Sequence, residues 1–166
     1  MNSTDRPGLL RPFTSQWAAA FADAINRSPA YREAAAEWRW PLALVLEAAP
    51  DLGYPTTTAL VADLFEGTCR DARILDGDAP DVPFVIRGPY PSWKALLAAG
   101  ADPVTAIVTG KLRLAGSLTT IIRHVAAARA LVACARHVPT AFPDETPRRS
   151  QRRQPGGDLA WEGEGA

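Results

Sequence analysis

The chain has 166 residues, of which 47% are hydrophobic and 22% are charged, a composition typical of one compact domain with tails. Its 18 Lys and Arg residues balance 18 Asp and Glu residues, so no net positive charge draws it to DNA or RNA, and a dedicated nucleic-acid-binding protein is disfavoured. Cys69 and Cys134 form neither a disulfide framework nor a C-x-x-C metal or redox motif. With no leader peptide pattern and no long apolar run, we expect a soluble cytoplasmic protein.

Both ends of the chain differ in composition from its middle. We expect residues 1–13 to be a flexible arm, residues 14–143 to be the folded domain and residues 144–166 to be a disordered charged tail. The arginines of this tail are Arg148, Arg149, Arg152 and Arg153. A solvated segment is the simpler interpretation; contact of these arginines with phosphate or a membrane, with Trp161 as an interfacial anchor, is the alternative.

The first folded third has a helical pattern. Thr14 or Ser15 can cap a helix whose apolar residues recur with helical spacing from Trp17 onward. Ser28 followed by Pro29 predicts the start of a second helix that continues to Trp38.

Strands follow in the middle third. Residues 42–48 form a short apolar run between prolines, and residues 56–66 and the segment after Gly67 predict a hairpin. Residues 82–88 alternate apolar side chains between two faces. Short connections between these four strands favour antiparallel pairing.

The last folded third predicts two short helices, a strand and a long helix. Ser92 and Gly100 bound the first helix, and Asp102-Pro103 begins the second. Residues 111–116 alternate charged and apolar side chains, which predicts a strand with one solvent-exposed face. The final helix is predicted over residues 117–136.

This order of elements resembles the sterol carrier protein type 2 domain family of lipid-binding proteins. The resemblance covers about residues 15–137 and is most specific in residues 82–132, VPFVIRGPYPSWKALLAAGADPVTAIVTGKLRLAGSLTTIIRHVAAARALV. There a Trp-bearing helix at Trp93 precedes an Asp-Pro helix start and a Gly-Lys-Leu-x-Leu-x-Gly-x-Leu stretch from Gly110 to Leu118.

The resemblance implies an α+β fold in which helices cover one face of a five-stranded, mostly antiparallel sheet, with an apolar cavity between the two layers. It also implies that the protein binds lipids or other apolar small molecules without a cofactor. The residues we expect to line the cavity are Phe84, Ile86, Trp93, Leu97, Val104, Ile107, Val108, Leu112, Leu114, Leu118, Ile121 and Val125. Leu96 lies among them on the first short helix. From the residues alone, an ordinary close-packed core filled by the same set is the simpler interpretation, since sequence does not separate a filled interior from a hollow one.

We find no catalytic or metal-binding constellation in the sequence. His124 and His137 have no Cys or carboxylate partners at ligand spacing, so no metal site is predicted. Lys111 and Arg113 are expected on a solvated face, with contact to a lipid headgroup as the alternative.

Non-enzymatic lipid binding, with transient membrane or enzyme contact, is therefore the leading hypothesis. An isomerase or cyclase that uses the same pocket would need a carboxylate, Tyr or His with a shifted pKa inside the cavity, and Asp102, Tyr90 or His124 pointing inward would favour it. An interaction module would use its apolar groove to bind the helix of a protein partner. The sequence leaves the oligomeric state open.

Overall fold

A computed structural model describes residues 9–145 and contains helices, strands and one short 3-10 turn in an α+β arrangement. The helices are α1 (Ser15–Asn26), α2 (Pro29–Ala34), α3 (Tyr90–Ala99), α4 (Pro103–Val108), α5 (Leu118–Arg123) and α6 (Val125–Arg136). The strands are β1 (Leu42–Leu46), β2 (Thr58–Phe65), β3 (Thr68–Asp76), β4 (Phe84–Gly88) and β5 (Arg113–Ala115), and the 3-10 turn is Pro50–Leu52.

Side-chain caps define the start of four helices, as the sequence predicts. Thr14, Ser28, Asp102 and Ser117 each accept a hydrogen bond from the backbone N–H three residues further on, over distances of 2.9 to 3.3 Å. Each cap satisfies one of the free N–H groups at a helix start. The first short helix differs from its prediction, since it begins at Tyr90 after Pro89 rather than at a Ser92 cap.

The five strands form one mixed sheet in the order β3-β2-β1-β4-β5. Three of the four strand pairs are antiparallel, but β1 and β4 run parallel, with Leu44 opposite Ile86. The expectation of antiparallel pairing is wrong for this pair. The β2–β3 hairpin lies on one side of β1, and residues 77–83 carry the chain to the other side, so that β4 runs in the same direction as β1.

The predicted C-terminal helix is interrupted at His124. Its ψ of 36° departs from the helical value of about −42°, so residues 118–136 form two helices, α5 and α6. Apolar spacing continues across the break, which is why the pattern alone predicts one helix. Helix α6 is the hub of the helical layer, since α1, α2, α3, α4 and α5 all contact it.

The folded domain extends beyond its predicted limits of 14 and 143. The Leu10 N–H donates to the Pro139 carbonyl at 2.9 Å, and the side chain of Phe13 is buried. At the other end, Asp144 accepts a hydrogen bond from the Tyr90 hydroxyl at 2.7 Å. Residues 10–13 and 144–145 therefore contact the domain. The predictions for residues 1–8 and 146–166, including the four tail arginines and Trp161, lie outside the described residues.

Candidate functional site

An apolar cavity of about 90 Å³ lies between the sheet and the helical layer. One water molecule needs roughly 10–15 Å³ of such space, so the cavity is several times larger than the space for one water molecule. Its lining residues are Phe13, Trp17, Phe21, Tyr31, Trp38, Leu42, Leu44, Leu60, Leu64, Ile86, Trp93, Leu96, Leu97, Pro103, Ile107, Leu112, Ile121, His124, Ala127, Ala128, Leu131, Val132 and Ala135.

The floor of the cavity is one face of the three central strands. Leu44 of β1 lies between Leu60 of β2 and Ile86 of β4 in the sheet register, and all three line the cavity. Because side chains alternate between the faces of a strand, residues two apart share this floor. Leu42 and Leu64 extend it along β1 and β2.

All six helices contribute residues to the roof of the cavity. The rings of Trp17 and Phe21 of α1 pack at a tilt of 37° with centroids 5.0 Å apart, and the small residues Ala128 and Ala135 of α6 also face the cavity. Ile107 of α4 and Ile121 of α5 close the remaining side. Since α4 and α5 have six residues each, each buries little area and is held mainly by its neighbours.

Three tryptophans line the cavity with their indole N–H groups already bonded to the protein. Trp93 donates to the Val45 carbonyl at 3.0 Å, Trp38 to the Trp40 carbonyl at 2.7 Å, and Trp17 to the Thr140 hydroxyl at 2.9 Å. A buried indole needs such a partner. These rings therefore present hydrocarbon to the cavity and keep their polar atoms elsewhere.

Polar functional groups in the lining come from Tyr31 and His124. Burial is the main cause that raises the pKa of Tyr31, with Cys69 and Cys134 adding to it, so the hydroxyl stays neutral at physiological pH. The His124 Nδ1 lies 2.9 Å from the Thr120 carbonyl. When Nδ1 donates to this oxygen, a neutral ring has its other nitrogen, Nε2, as an acceptor.

Six of the twelve residues expected in the lining are found there. They are Ile86, Trp93, Leu97, Ile107, Leu112 and Ile121. Whether these side chains contact a ligand stays a prediction.

The structure places the other six outside the lining. Phe84 is buried in an aromatic cluster, with its ring centroid 4.9 Å from that of Trp38. Val104 and Leu114 pack at the margin of the core, and Val125 is half-buried at the start of α6. Val108 and Leu118 face outward, with 63% and 37% of their surface exposed. In helices as short as α4 and α5, apolar composition does not reveal which side faces inward.

None of the lining residues from the first half of the chain was among the twelve predicted from the sequence. Trp17 and Phe21 share one helical face, and Leu42 and Leu44 share one strand face, so both pairs carried the signal of burial. Apolar spacing of this kind predicts that a side chain is buried in the core, but it does not predict that the side chain borders the cavity. Alanines 127, 128 and 135 carried no signal, because a small residue beside a cavity looks like any other helical alanine.

Two of the three side chains named as candidates for an enzyme, Asp102 and Tyr90, lie outside the cavity lining. Asp102 forms an ion pair with Arg129 at 2.7 Å, and Tyr90 donates to Asp144 at 2.7 Å. Of the three candidates, His124 alone lines the cavity. Within residues 9–145, no three His, Cys, Asp or Glu side chains are grouped to hold a metal ion. None of the helices described is long and apolar enough to cross a bilayer.

Comparison with known proteins identifies relatives among solved structures. No protein-family model and no curated protein matches the chain. A crystal structure of a sterol carrier protein 2 is similar at a TM-score of 0.74 and 36% identity, over 77% of this chain and 99% of that one. A solution structure of a conserved hypothetical protein from Thermus thermophilus, described as possibly a sterol carrier protein, has a TM-score of 0.72 and 36% identity, over 78% of this chain and 90% of that one.

Both similarities extend over nearly the whole described domain, and both relatives share its fold at 36% identity. The resemblance seen in the sequence is therefore confirmed, and the chain belongs to the sterol carrier protein 2 family.

Proposed function

We propose that this protein binds a lipid or a similarly apolar small molecule in the cavity between its sheet and helices, and carries it without chemical change. The observation that supports this most strongly is the lining, which among the described residues contains no Asp, Glu, Lys or Arg side chain. Membership of the sterol carrier protein 2 family supports the same ligand class.

Burial of hydrocarbon supplies the binding energy in this proposal. Each CH₂ group that leaves water for such a space gains about 0.8 kcal/mol, so a long acyl chain gains on the order of 10 kcal/mol before the costs of association. A charged headgroup would lose its hydration inside, with no cation in the described lining to compensate. The ligand's apolar part therefore lies inside, and a charged end stays at the opening.

A long ligand must widen the cavity as it enters. A cavity of roughly 150 Å³ is known to admit benzene, whereas this one has about 90 Å³. Helices α4 and α5 are suited to move, because each has six residues and glycines with positive φ, Gly110 at 82° and Gly116 at 137°, lie between them. Short, separately packed segments open at a lower free-energy cost than a long helix.

The lining favours a carrier over an isomerase or cyclase. General acid–base catalysis needs a proton-transfer group that is positioned and tuned by a partner. In the described lining, His124 has a backbone carbonyl as its ring partner and no carboxylate, and its ring packs edge-on against Trp38 at 5.3 Å.

We propose that the protein acts without a cofactor in the cytoplasm, where it meets membranes or enzymes transiently to exchange its ligand.

Two adjacent isoleucines of α5 provide a matched test. Ile121 lines the cavity and is buried, whereas Ile122 is 50% exposed. We expect uptake of a fluorescent fatty acid to weaken at least tenfold in Ile121→Gln and to change less than twofold in Ile122→Gln. Thermal unfolding shows whether each variant is folded at the assay temperature.

The ligand itself can be sought in an organic extract of the purified protein by mass spectrometry. We expect a stoichiometric apolar molecule, or saturable uptake of the fluorescent fatty acid by the delipidated protein. Absence of both would overturn the proposal. Equal loss of uptake in Ile121→Gln and Ile122→Gln would place binding outside the cavity.

A further inference from the structure

The three tyrosines of the chain are all buried, but their hydroxyl groups differ in what they contact. Tyr54 donates to the Pro12 carbonyl at 2.7 Å, and Tyr90 donates to the Asp144 carboxylate at 2.7 Å. Tyr31 is the most deeply buried of the three, with 1% of its surface exposed. Within the part of the chain that the structure describes, its hydroxyl has no hydrogen-bond partner.

A buried hydroxyl without a partner is unfavourable, because it has lost its hydrogen bonds to water and gained none in the fold. The electrostatic neighbours of the Tyr31 hydroxyl are two buried thiols, Cys69 and Cys134. A thiol is only a weak hydrogen-bonding group, and the Cys69 thiol is already bonded to the Asp71 carbonyl at 3.3 Å. A phenylalanine ring would avoid this cost, so the fold itself gives no reason for a hydroxyl here.

Tyr31 is held in the wall of the cavity and lines it. It is the third residue of α2, and its N–H donates to the Ser28 cap at 3.0 Å. Helix α2 packs against α1 and α6, which also line the cavity. Burial raises the pKa of Tyr31, so the hydroxyl keeps its proton at physiological pH and is available as a donor.

We propose that the Tyr31 hydroxyl donates a hydrogen bond to an uncharged carbonyl oxygen of the bound ligand, as a ketone or an ester carries. A carbonyl oxygen only accepts, so this pairing leaves no donor of the ligand unsatisfied. An alcohol would bring a further O–H into the cavity, and a carboxylate would bring a charge for which the described lining has no Lys or Arg. This inference rests on the proposed function and names the chemistry of its ligand.

The first test asks whether the hydroxyl serves the fold. Tyr31→Phe removes the hydroxyl and keeps the ring, and we expect the delipidated variant to unfold at the same or a higher urea concentration than the unaltered protein. Tyr54→Phe is the matched control, because it removes a bond to the Pro12 carbonyl, and it should unfold at a lower urea concentration. A decrease in Tyr31→Phe as large as that in Tyr54→Phe would overturn the proposal.

The second test compares two ligands that differ at one position. In 2-methyl-1-decene a CH₂ group replaces the carbonyl oxygen of 2-decanone, and both can compete with a fluorescent fatty acid for the protein. We expect Tyr31→Phe to weaken binding of 2-decanone roughly tenfold and binding of 2-methyl-1-decene less than twofold. Tyr54→Phe should change neither by more than twofold. Equal effects of Tyr31→Phe on the two compounds would overturn the carbonyl contact.

Infrared spectroscopy observes the bond itself. A hydrogen bond lowers the stretching frequency of a carbonyl group, so bound 2-decanone, isotope-labelled at its carbonyl carbon, should absorb at a higher frequency in Tyr31→Phe than in the unaltered protein or in Tyr54→Phe. The same frequency in all three would overturn the contact.

Binding by the unaltered protein distinguishes the two ways to fail. If it binds 2-methyl-1-decene and 2-decanone and Tyr31→Phe changes neither, the carbonyl contact is wrong and the cavity assignment stands. If it binds neither compound nor the fluorescent fatty acid, the proposed function fails, and the carbonyl contact fails with it.

Discussion

The indole N–H of Trp93 donates a hydrogen bond to the carbonyl oxygen of Val45 at 3.0 Å, and so joins α3 to the central strand β1. The same N–H lies 3.2 Å from the Gly88 carbonyl at the end of β4. One side chain therefore fixes the helix over the place where the parallel strands end, and its ring forms part of the cavity wall.

Trp93→Phe keeps an aromatic ring and removes this donor. We expect it to lower the free energy of unfolding by about 1–3 kcal/mol, because a buried carbonyl loses its partner and some packing is lost. Trp40→Phe is the control, since Trp40 is only partly buried and its indole N–H has no such role in joining layers. Urea unfolding measures the free energy of unfolding of both variants. Equal losses in the two variants would show that the Trp93 hydrogen bond does not account for the destabilisation.

Filling the cavity should separate ligand binding from stability. Ala128 of α6 lines the cavity, and Ala126 two residues earlier is exposed. We expect Ala128→Leu to weaken uptake of a fluorescent fatty acid at least tenfold, with a change in stability within about 1–3 kcal/mol of either sign, since overpacking and cavity filling compete. Ala126→Leu should bind normally. Normal uptake by Ala128→Leu would contradict a ligand site at this position.

The ion pair between Asp102 and Arg129 holds the start of α4 to α6. The side-chain hydrogen bond from Arg129 is the main cause that lowers the pKa of Asp102, and the Thr105 N–H adds to it. The carboxylate therefore stabilises the fold above its ordinary pKa of 3.8, and this contribution is lost as the pH falls through the lowered value.

Asp102→Asn removes the charge at neutral pH and keeps a good helix cap. We expect a stability loss below about 1 kcal/mol, because the pair is at the surface, together with faster dissociation of a bound fluorescent fatty acid. Stopped-flow displacement measures that rate. Arg27→Gln breaks an exposed ion pair on α1 and is the control; if both variants release the probe at the same rate, α4 does not control exit.

Stability should fall in alkali because of buried acidic groups. Burial raises the pKa of the Cys69 thiol from 9.0 to about 11, and burial likewise raises the pKa values of Tyr31 and Cys134. Between pH 9 and about pH 11 the unfolded chain releases the Cys69 proton while the folded chain keeps it, so stability declines as the pH rises.

We expect Cys69 to account for a loss on the order of 2 kcal/mol across that window. Urea unfolding at pH 8, 9, 10 and 11 measures the decline. In Cys69→Ala the decline should be smaller from pH 9 upward and unchanged below it. A variant that follows the original pH profile would show that Cys69 is not the titrating group.

The sequence predicted those features of the fold that local chemistry determines. Thr14, Ser28, Asp102 and Ser117 each marked a helix start, because a capping side chain acts within three residues. The parallel pairing of β1 with β4 depends on where the β2–β3 hairpin lies, which is a nonlocal property. The break at His124 was missed because apolar spacing continues across it.

An apolar cavity between the sheet and the helices was expected from the sequence, but only some of its lining residues were. Ile107 and Val108 are adjacent and similarly apolar, yet one faces the cavity and the other faces outward. Short helices have too few turns for their pattern to decide between these sides. Tyr31 and Trp17 were recognisable as core residues, but only the tertiary packing of α1 and α2 over the sheet brings them to the cavity.

A methyl NMR titration with a spin-labelled stearic acid tests the central claim most directly. We predict that broadening at one equivalent is strongest for methyl groups of Leu60, Ile86, Leu112 and Ile121, which line the cavity, and weak for Ile25, which is buried outside it. Broadening confined to exposed methyl groups such as those of Leu9, with Ile86 and Leu112 unchanged, would contradict binding of the chain between the sheet and the helices.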